Sequence, residues 1–162
     1  MVGRYHIDPE TAVMKIPDWP EPDQTLFKNS LVKSDPFSDE GLRADHREIS
    51  NQKVAKGYGR YLTFLKRHHP EVFDGPVEDR ITHDLVKLFV ENLLSVGNRK
   101  MTILDRLQEL HSIAVILAPT KSFRSLKDFE ARIRARMSDK EKPEKRFVTA
   151  DELLSLGFHL ME

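Results

Sequence analysis

The chain has 162 residues, 39% of them hydrophobic and 32% charged, with a formal net charge of zero; it can bury one sizeable core and is not a uniformly basic nucleic-acid binder. Cysteine is absent, which excludes disulfides and thiolate metal sites and fits a reducing cytoplasm. No apolar run approaches the ~20 residues needed to span a bilayer, and the N-terminus MVGRYHIDPETAVMKIPDWP has neither the basic nor the apolar region of an export signal, so the expectation is a soluble, cytoplasmic chain with no membrane partner.

Residues 1–47 contain Pro9, Pro17, Pro20, Pro22 and Pro36 among scattered acids, with no sustained period. Proline cannot donate to a helix ladder or a central strand, so this region is expected to be an extended or loosely docked arm, tacked onto the core by Ile16, Trp19, Leu26 and Phe27. A second reading makes it a contact arm for a neighbouring protomer.

A first helix is predicted from Ser50, a good N-cap, to His68. Val54, Tyr58, Tyr61, Leu62 and Leu65 recur at three- and four-residue steps on one face, while Lys53, Lys56 and Arg60 fall together on the other. Gly57 and Gly59 each cost about 1 kcal/mol against alanine inside a helix. Something must therefore come close, either another helix or a nucleic-acid backbone.

His69, Pro70 and Gly75-Pro76 mark a loop. Thr82 caps a second helix with Leu85, Val86, Phe89, Leu93 and Leu94 on a broad apolar face, ended by Gly97 as the C′ residue. A third helix opens around Arg99, Lys100 and Thr102 and runs to Leu117, stopped by Ala118-Pro119. Its first half carries Arg99, Lys100, Thr102, Asp105, Arg106 and Glu109, a layout suited to lowering a helix start towards phosphates and base edges; alternatively it is only a solvated face. A fourth helix, near Ser122 to Met137, buries Phe123, Leu126, Phe129, Ile133 and Met137 and exposes Arg124, Lys127, Arg132, Arg134 and Arg136. From Thr120 to Arg146, 10 basic residues face 5 acidic ones, an excess that can follow a phosphate backbone. The stretch SDKEKPEKRF, with Lys145 and Arg146, reads as a linker. Thr149 and Glu152 form a capping box for a last, leucine-rich helix.

Catalytic and metal chemistry finds little footing. His68 and His69 are adjacent and lack metal-ligand spacing, His111 reads as a core or boundary histidine, and Glu71, Asp74, Glu78 and Asp79 lack calcium-loop spacing. Gly57-Tyr58-Gly59 has no preceding strand, which argues against a dinucleotide loop. No metal or cofactor is expected.

Taken in order, KVAKGYGRYLTFL, THDLVKLFVENL, KMTILDRLQELHSIA, LKDFEARIRARM and RFVTADELLSLGFHLM resemble the N-terminal core-binding domain of tyrosine recombinases, the phage integrase family. The likeness extends from about Arg47 to the C-terminus. It implies an all-α fold, an orthogonal four-helix SAM-like bundle over residues 48–138, with an extended arm at 1–47, a basic linker at 139–148 and an additional C-terminal helix at 149–162 leading towards a catalytic domain outside this chain. It also implies a clamp on double-stranded DNA at a recombination site, shared with other protomers, in which Lys53, Lys56, Gly57 and Arg60 on the first helix and Lys100, Thr102, Asp105, Arg106 and Glu109 on the third fall on contact positions. Arg99, Arg134, Arg136, Lys145 and Arg146 extend that basic path. The family's strand cleavage by a tyrosine nucleophile belongs to the downstream domain, so Tyr5, Tyr58 and Tyr61 are not expected to be nucleophiles. The alternative from another class is a helical protein-interaction module whose basic residues only solvate its surface.

Overall fold

The computed structural model describes residues 9–37 and 41–137. The predicted linker and last helix, with Lys145 and Arg146, lie outside the described residues, as does Tyr5. Among the described residues there are seven α-helices and no strand: α1 (Glu21–Ser30), α2 (Glu48–His68), α3 (Pro70–Phe73), α4 (Val77–Arg80), α5 (His83–Ser95), α6 (Lys100–Leu117) and α7 (Arg124–Arg136). The fold class is all-α. No described helix is long and apolar enough to cross a membrane.

Helix α6 is the hub, packing against α1, α2, α5 and α7. Its composition explains this position. Ile103, Leu104, Leu107, Leu110, Ile113, Ala114, Ile116 and Leu117 are all buried, so beyond its first turns the helix is apolar nearly all round and must be covered on most sides. Helices α2, α5 and α7 each contribute a single apolar stripe: Tyr58, Tyr61, Leu62 and Leu65 from α2, Val86, Phe89 and Leu93 from α5, and Leu126, Phe129 and Ile133 from α7. These are the faces set by the helical period of the sequence.

Helix ends follow local chemistry. The Thr82 hydroxyl accepts from the Leu85 N–H at 3.3 Å and caps α5. At the other end Gly97 adopts φ +88°; its N–H donates to Leu94 and that of Asn98 to Leu93, each at 3.0 Å. This paired closure of the last turn requires a residue tolerant of the left-handed region. Helix α6 ends at Leu117, ahead of Ala118-Pro119.

The N-terminal segment departs from the expected loose arm. Residues 21–30 form a helix whose Asp23, Phe27 and Ser30 are buried, and Trp19 is 3% exposed in the main core cluster. The prolines do not prevent this because of where they fall: Pro20 is the N-cap and Pro22 lies in the first turn, where a missing N–H costs no helical hydrogen bond. Glu21 and Asp23 at the start and Lys28 in the last turn complement the helix dipole. The Gln24 side chain reaches back to the Trp19 carbonyl at 2.8 Å.

Residues 10–14 dock on α2. The Thr63 hydroxyl donates to the Ala12 carbonyl at 2.7 Å, and the Met14 N–H donates to the Gly59 carbonyl at 3.2 Å. A Cβ at Gly59 would fall on the Met14 carbonyl oxygen and lie 3.0 Å from Val13 Cγ1. The close approach announced by Gly59 is therefore the protein's own N-terminal segment. Glu10 ties the same segment to two helices, pairing with Arg67 at 3.1 Å and His68 at 2.6 Å on α2 and accepting from Asn92 on α5 at 3.2 Å.

The α1 helix is anchored by a buried polar triad. Arg80 and Asp23, 2% and 1% exposed, form a two-pronged ion pair, with Nη2 2.7 Å from Oδ1 and Nη1 2.5 Å from Oδ2. The Tyr58 hydroxyl donates to the same Oδ2, and the Tyr61 hydroxyl donates to the Arg80 carbonyl. Burial disfavours the Arg80 cation, but its bonds to Asp23 outweigh this and keep it firmly protonated. Burial, reinforced by the Asp23 charge, pushes the Tyr58 hydroxyl well above its ordinary range.

Candidate nucleic-acid interface

The predicted contact residues divide into a group brought together by the α2/α6 crossing and a group placed elsewhere. On α2, Lys53, Lys56 and Arg60 share one side of the helix, with Lys53 and Lys56 exposed and Arg60 half-buried. Across the crossing stands the first half of α6. Lys53 Nζ lies 4.0 Å from Asp105, and the Arg60 guanidinium is close enough to Arg106 and Glu109 for both to act on it: burial first, then repulsion from Arg106, lowers its pKa, and Glu109 opposes them. Thr102 lies on α6 four residues before Arg106, on the same side by helical period, and is half-buried; Arg99 is the N-cap of α6, with extended backbone, and is exposed.

Glu109 is the centre of the arrangement and is 3% exposed. Its carboxylate grips Arg106 through a single nitrogen, Nη1, at 2.8 and 2.9 Å. Burial raises the Glu109 pKa, while Arg106, Arg60 and Lys53 pull it back. The carboxylate can sit so deep because Gly57 faces it. A Cβ at Gly57 would lie 2.5 Å from Glu109 Cβ and collide with the carboxylate as well. The glycine in α2 thus makes room for a side chain of α6, and of the two approaches open from the sequence it is the helix crossing that occurs.

Several predicted contacts take other roles. Lys100 is buried and its ammonium donates to the Arg134 carbonyl at 2.8 Å, joining the start of α6 to the end of α7. Buried Gly57 and Glu109 are covered by the crossing and are not contact surface. Arg134 and Arg136 are exposed on α7. The Lys53–Asp105 pair is well exposed and contributes little to stability, within the ~0–1 kcal/mol usual for such pairs.

Tyr58 and Tyr61 are both 0% exposed, with their hydroxyls committed to Asp23 and the Arg80 carbonyl. Burial raises the pKa of each far above its ordinary value. Neither can be presented to a phosphate as a nucleophile. Comparison of the chain with family models, with curated proteins and with solved structures finds no match.

Sequence reasoning missed three residues that organise this region. Asp23 and Arg80 are 57 positions apart, and no local pattern joins them. Arg43 is 7% exposed, and its guanidinium bonds Asn51 at 2.7 Å and Ser50 at 3.0 Å at the start of α2. For Glu109, expected as a contact, the one hint of its buried place is the glycine inside a neighbouring helix, Gly57.

Proposed function

We propose that this chain is a DNA-binding domain of the core-binding type found in tyrosine recombinases and integrases, holding duplex DNA at a recombination site without itself cleaving it. One observation carries the reading. Lys53, Lys56 and Arg60 of α2 meet Arg106 of α6 on one face at a helix crossing, so cations from two separate stretches of sequence form one surface. The resemblance of the helix order to the core-binding domain supports the same conclusion.

The electrostatics set the strength of binding. Asp105 and Glu109 offset part of the positive charge, and Lys100 is withdrawn into the α6/α7 contact. Three cations, Lys53, Lys56 and Arg60, remain to face phosphates beside Arg106. At ~0.9 counterion per phosphate contact, log affinity should fall with log salt at a slope of about −2.7. Fluorescence anisotropy with a labelled random-sequence duplex, titrated at several salt concentrations, measures this directly. The variant with Lys53→Ala and Arg60→Ala should weaken binding to all sequences alike and lower the slope magnitude to about 0.9, from two lost contacts. Equal binding by this variant and its parent removes the interface.

One feature favours the alternative of a protein-interaction module. Val32 and Phe37, in the segment after α1, and Ile49, in the first turn of α2, are 65%, 97% and 74% exposed, and exposed apolar side chains of this size are ordinary components of contact surfaces. Salt-insensitive self-association without DNA binding, measured by sedimentation, would favour that reading.

A further inference from the structure

We propose that Glu109 is a positioning residue that aims Arg106 at a base edge, with Gly57 present to let it do so. The inference rests on the DNA-binding reading and assigns Glu109, expected from sequence to be a contact, a different task.

The geometry distinguishes a holder from a contact. Glu109 is buried beneath α2, out of reach of a ligand on the surface, whereas Arg106 retains partial exposure with its side chain 20% accessible. Both carboxylate oxygens engage Nη1 of Arg106, so Nη2 and Nε remain for another acceptor. An arginine on an exposed helix face samples many rotamers, and ordering it on binding costs conformational entropy. An arginine held by a buried carboxylate has already lost that freedom. Its guanidinium also stays close to Arg60 despite their repulsion, because Glu109 attracts both. The Nε/Nη2 edge of such a guanidinium offers N–H donors in a fixed plane, which matches the O6 and N7 acceptors of guanine in the major groove.

This function predicts opposite changes in affinity and discrimination. Glu109→Gln removes a negative charge beside the interface and loosens the grip on Arg106. Binding to random duplex should therefore tighten, while preference for particular sequences falls. A residue serving only to hold α2 against α6 would, when replaced, weaken both.

The test is selection from a randomised duplex pool with the full chain, followed by sequencing of the bound fraction. The parent should enrich guanine at one position at least fivefold over the pool. Arg106→Lys keeps the charge but loses the fork, and should abolish that enrichment; Glu109→Gln should reduce it to twofold or less while binding the unselected pool more tightly. Undiminished guanine enrichment by Glu109→Gln overturns the proposal. So does a parent that binds the pool without selecting any base. If Glu109→Gln loses its cooperative melt, Glu109→Asp replaces it: the charge is kept on an arm one methylene shorter, enrichment should again fall at least twofold, and full enrichment overturns the proposal. A parent that binds no duplex at all refutes the DNA-binding reading itself, an outcome distinct from loss of selection.

Discussion

Replacing Asp23 with alanine removes the acceptor of both Arg80 prongs and of the Tyr58 hydroxyl. Arg80 Nε is already buried with no hydrogen-bond partner among the described residues, so the variant leaves a guanidinium that is 2% exposed with little satisfaction and no counter-charge. Breaking a buried ion pair from one side costs about 3–5 kcal/mol, because the remaining charge stays desolvated. Against a total stability of about 5–15 kcal/mol for a domain of this size, the protein should still fold but only narrowly. With a urea m-value of ~2 kcal/mol/M, a loss of ~4 kcal/mol moves the unfolding midpoint down by about 2 M. The single tryptophan, Trp19, provides a local probe. It packs edge-on to Tyr58 with ring centroids 5.0 Å apart and lies 5.5 Å from Phe27, so its emission should shift to the red as α1 detaches. Circular dichroism and tryptophan emission followed through a urea titration give both readouts. Replacing the whole pair, Asp23→Leu with Arg80→Met, should recover most of the loss, since a well-packed apolar substitute for a buried ion pair is often neutral or better. A midpoint shift below ~0.5 M for Asp23→Ala, equivalent to about 1 kcal/mol, would refute the view that this pair anchors α1.

Two further predictions concern the N-terminal segment. Gly59→Ala should displace residues 12–14 from α2, because the new methyl meets the Met14 carbonyl and Val13; an overpacking cost of about 1–3 kcal/mol is expected, read as faster proteolysis of the segment and a lower urea midpoint. The hydrogen bond from His68, against the cost of burial and with further help from Asn92 and Arg67, holds the Glu10 carboxyl below its ordinary value of 4.5. Its contribution to stability is therefore present above that value and lost as the pH falls through the lower folded-state value. Glu10→Gln should flatten this acid limb of the stability profile. Identical limbs in variant and parent, followed by thermal melts between pH 3 and 6, would contradict the assignment. Because Glu109 and Glu130 are shifted upwards by burial, their protonation acts in the opposite sense, and the comparison must be made between variant and parent at each pH.

The residues of α5 show how much of the fold is local. Its cap at Thr82, its apolar face and the Gly97 closure all depend on groups within a few positions of one another, and each lies where the sequence places it. The faces of α2, α6 and α7 are legible for the same reason, since a helical period fixes which side chains lie together before any partner is known. The N-terminal segment is the contrasting case. Counting prolines suggests an open arm, but the deciding fact is their placement in the first turn of α1, combined with a partner for Asp23 that lies far along the chain.

The candidate interface divides along the same line. The amino-acid order alone determines that Lys53, Lys56 and Arg60 share a side of one helix and that something approaches Gly57, because backbone geometry enforces both. Only the tertiary structure decides that the approaching group is Glu109, that Lys100 turns inward to the Arg134 carbonyl, and that Arg106 joins the α2 cations. A charged side chain on a helix can face water, a counter-ion or a neighbouring backbone at nearly equal local cost. Which one it meets depends on how two helices cross, and that is set by the packing of the whole core.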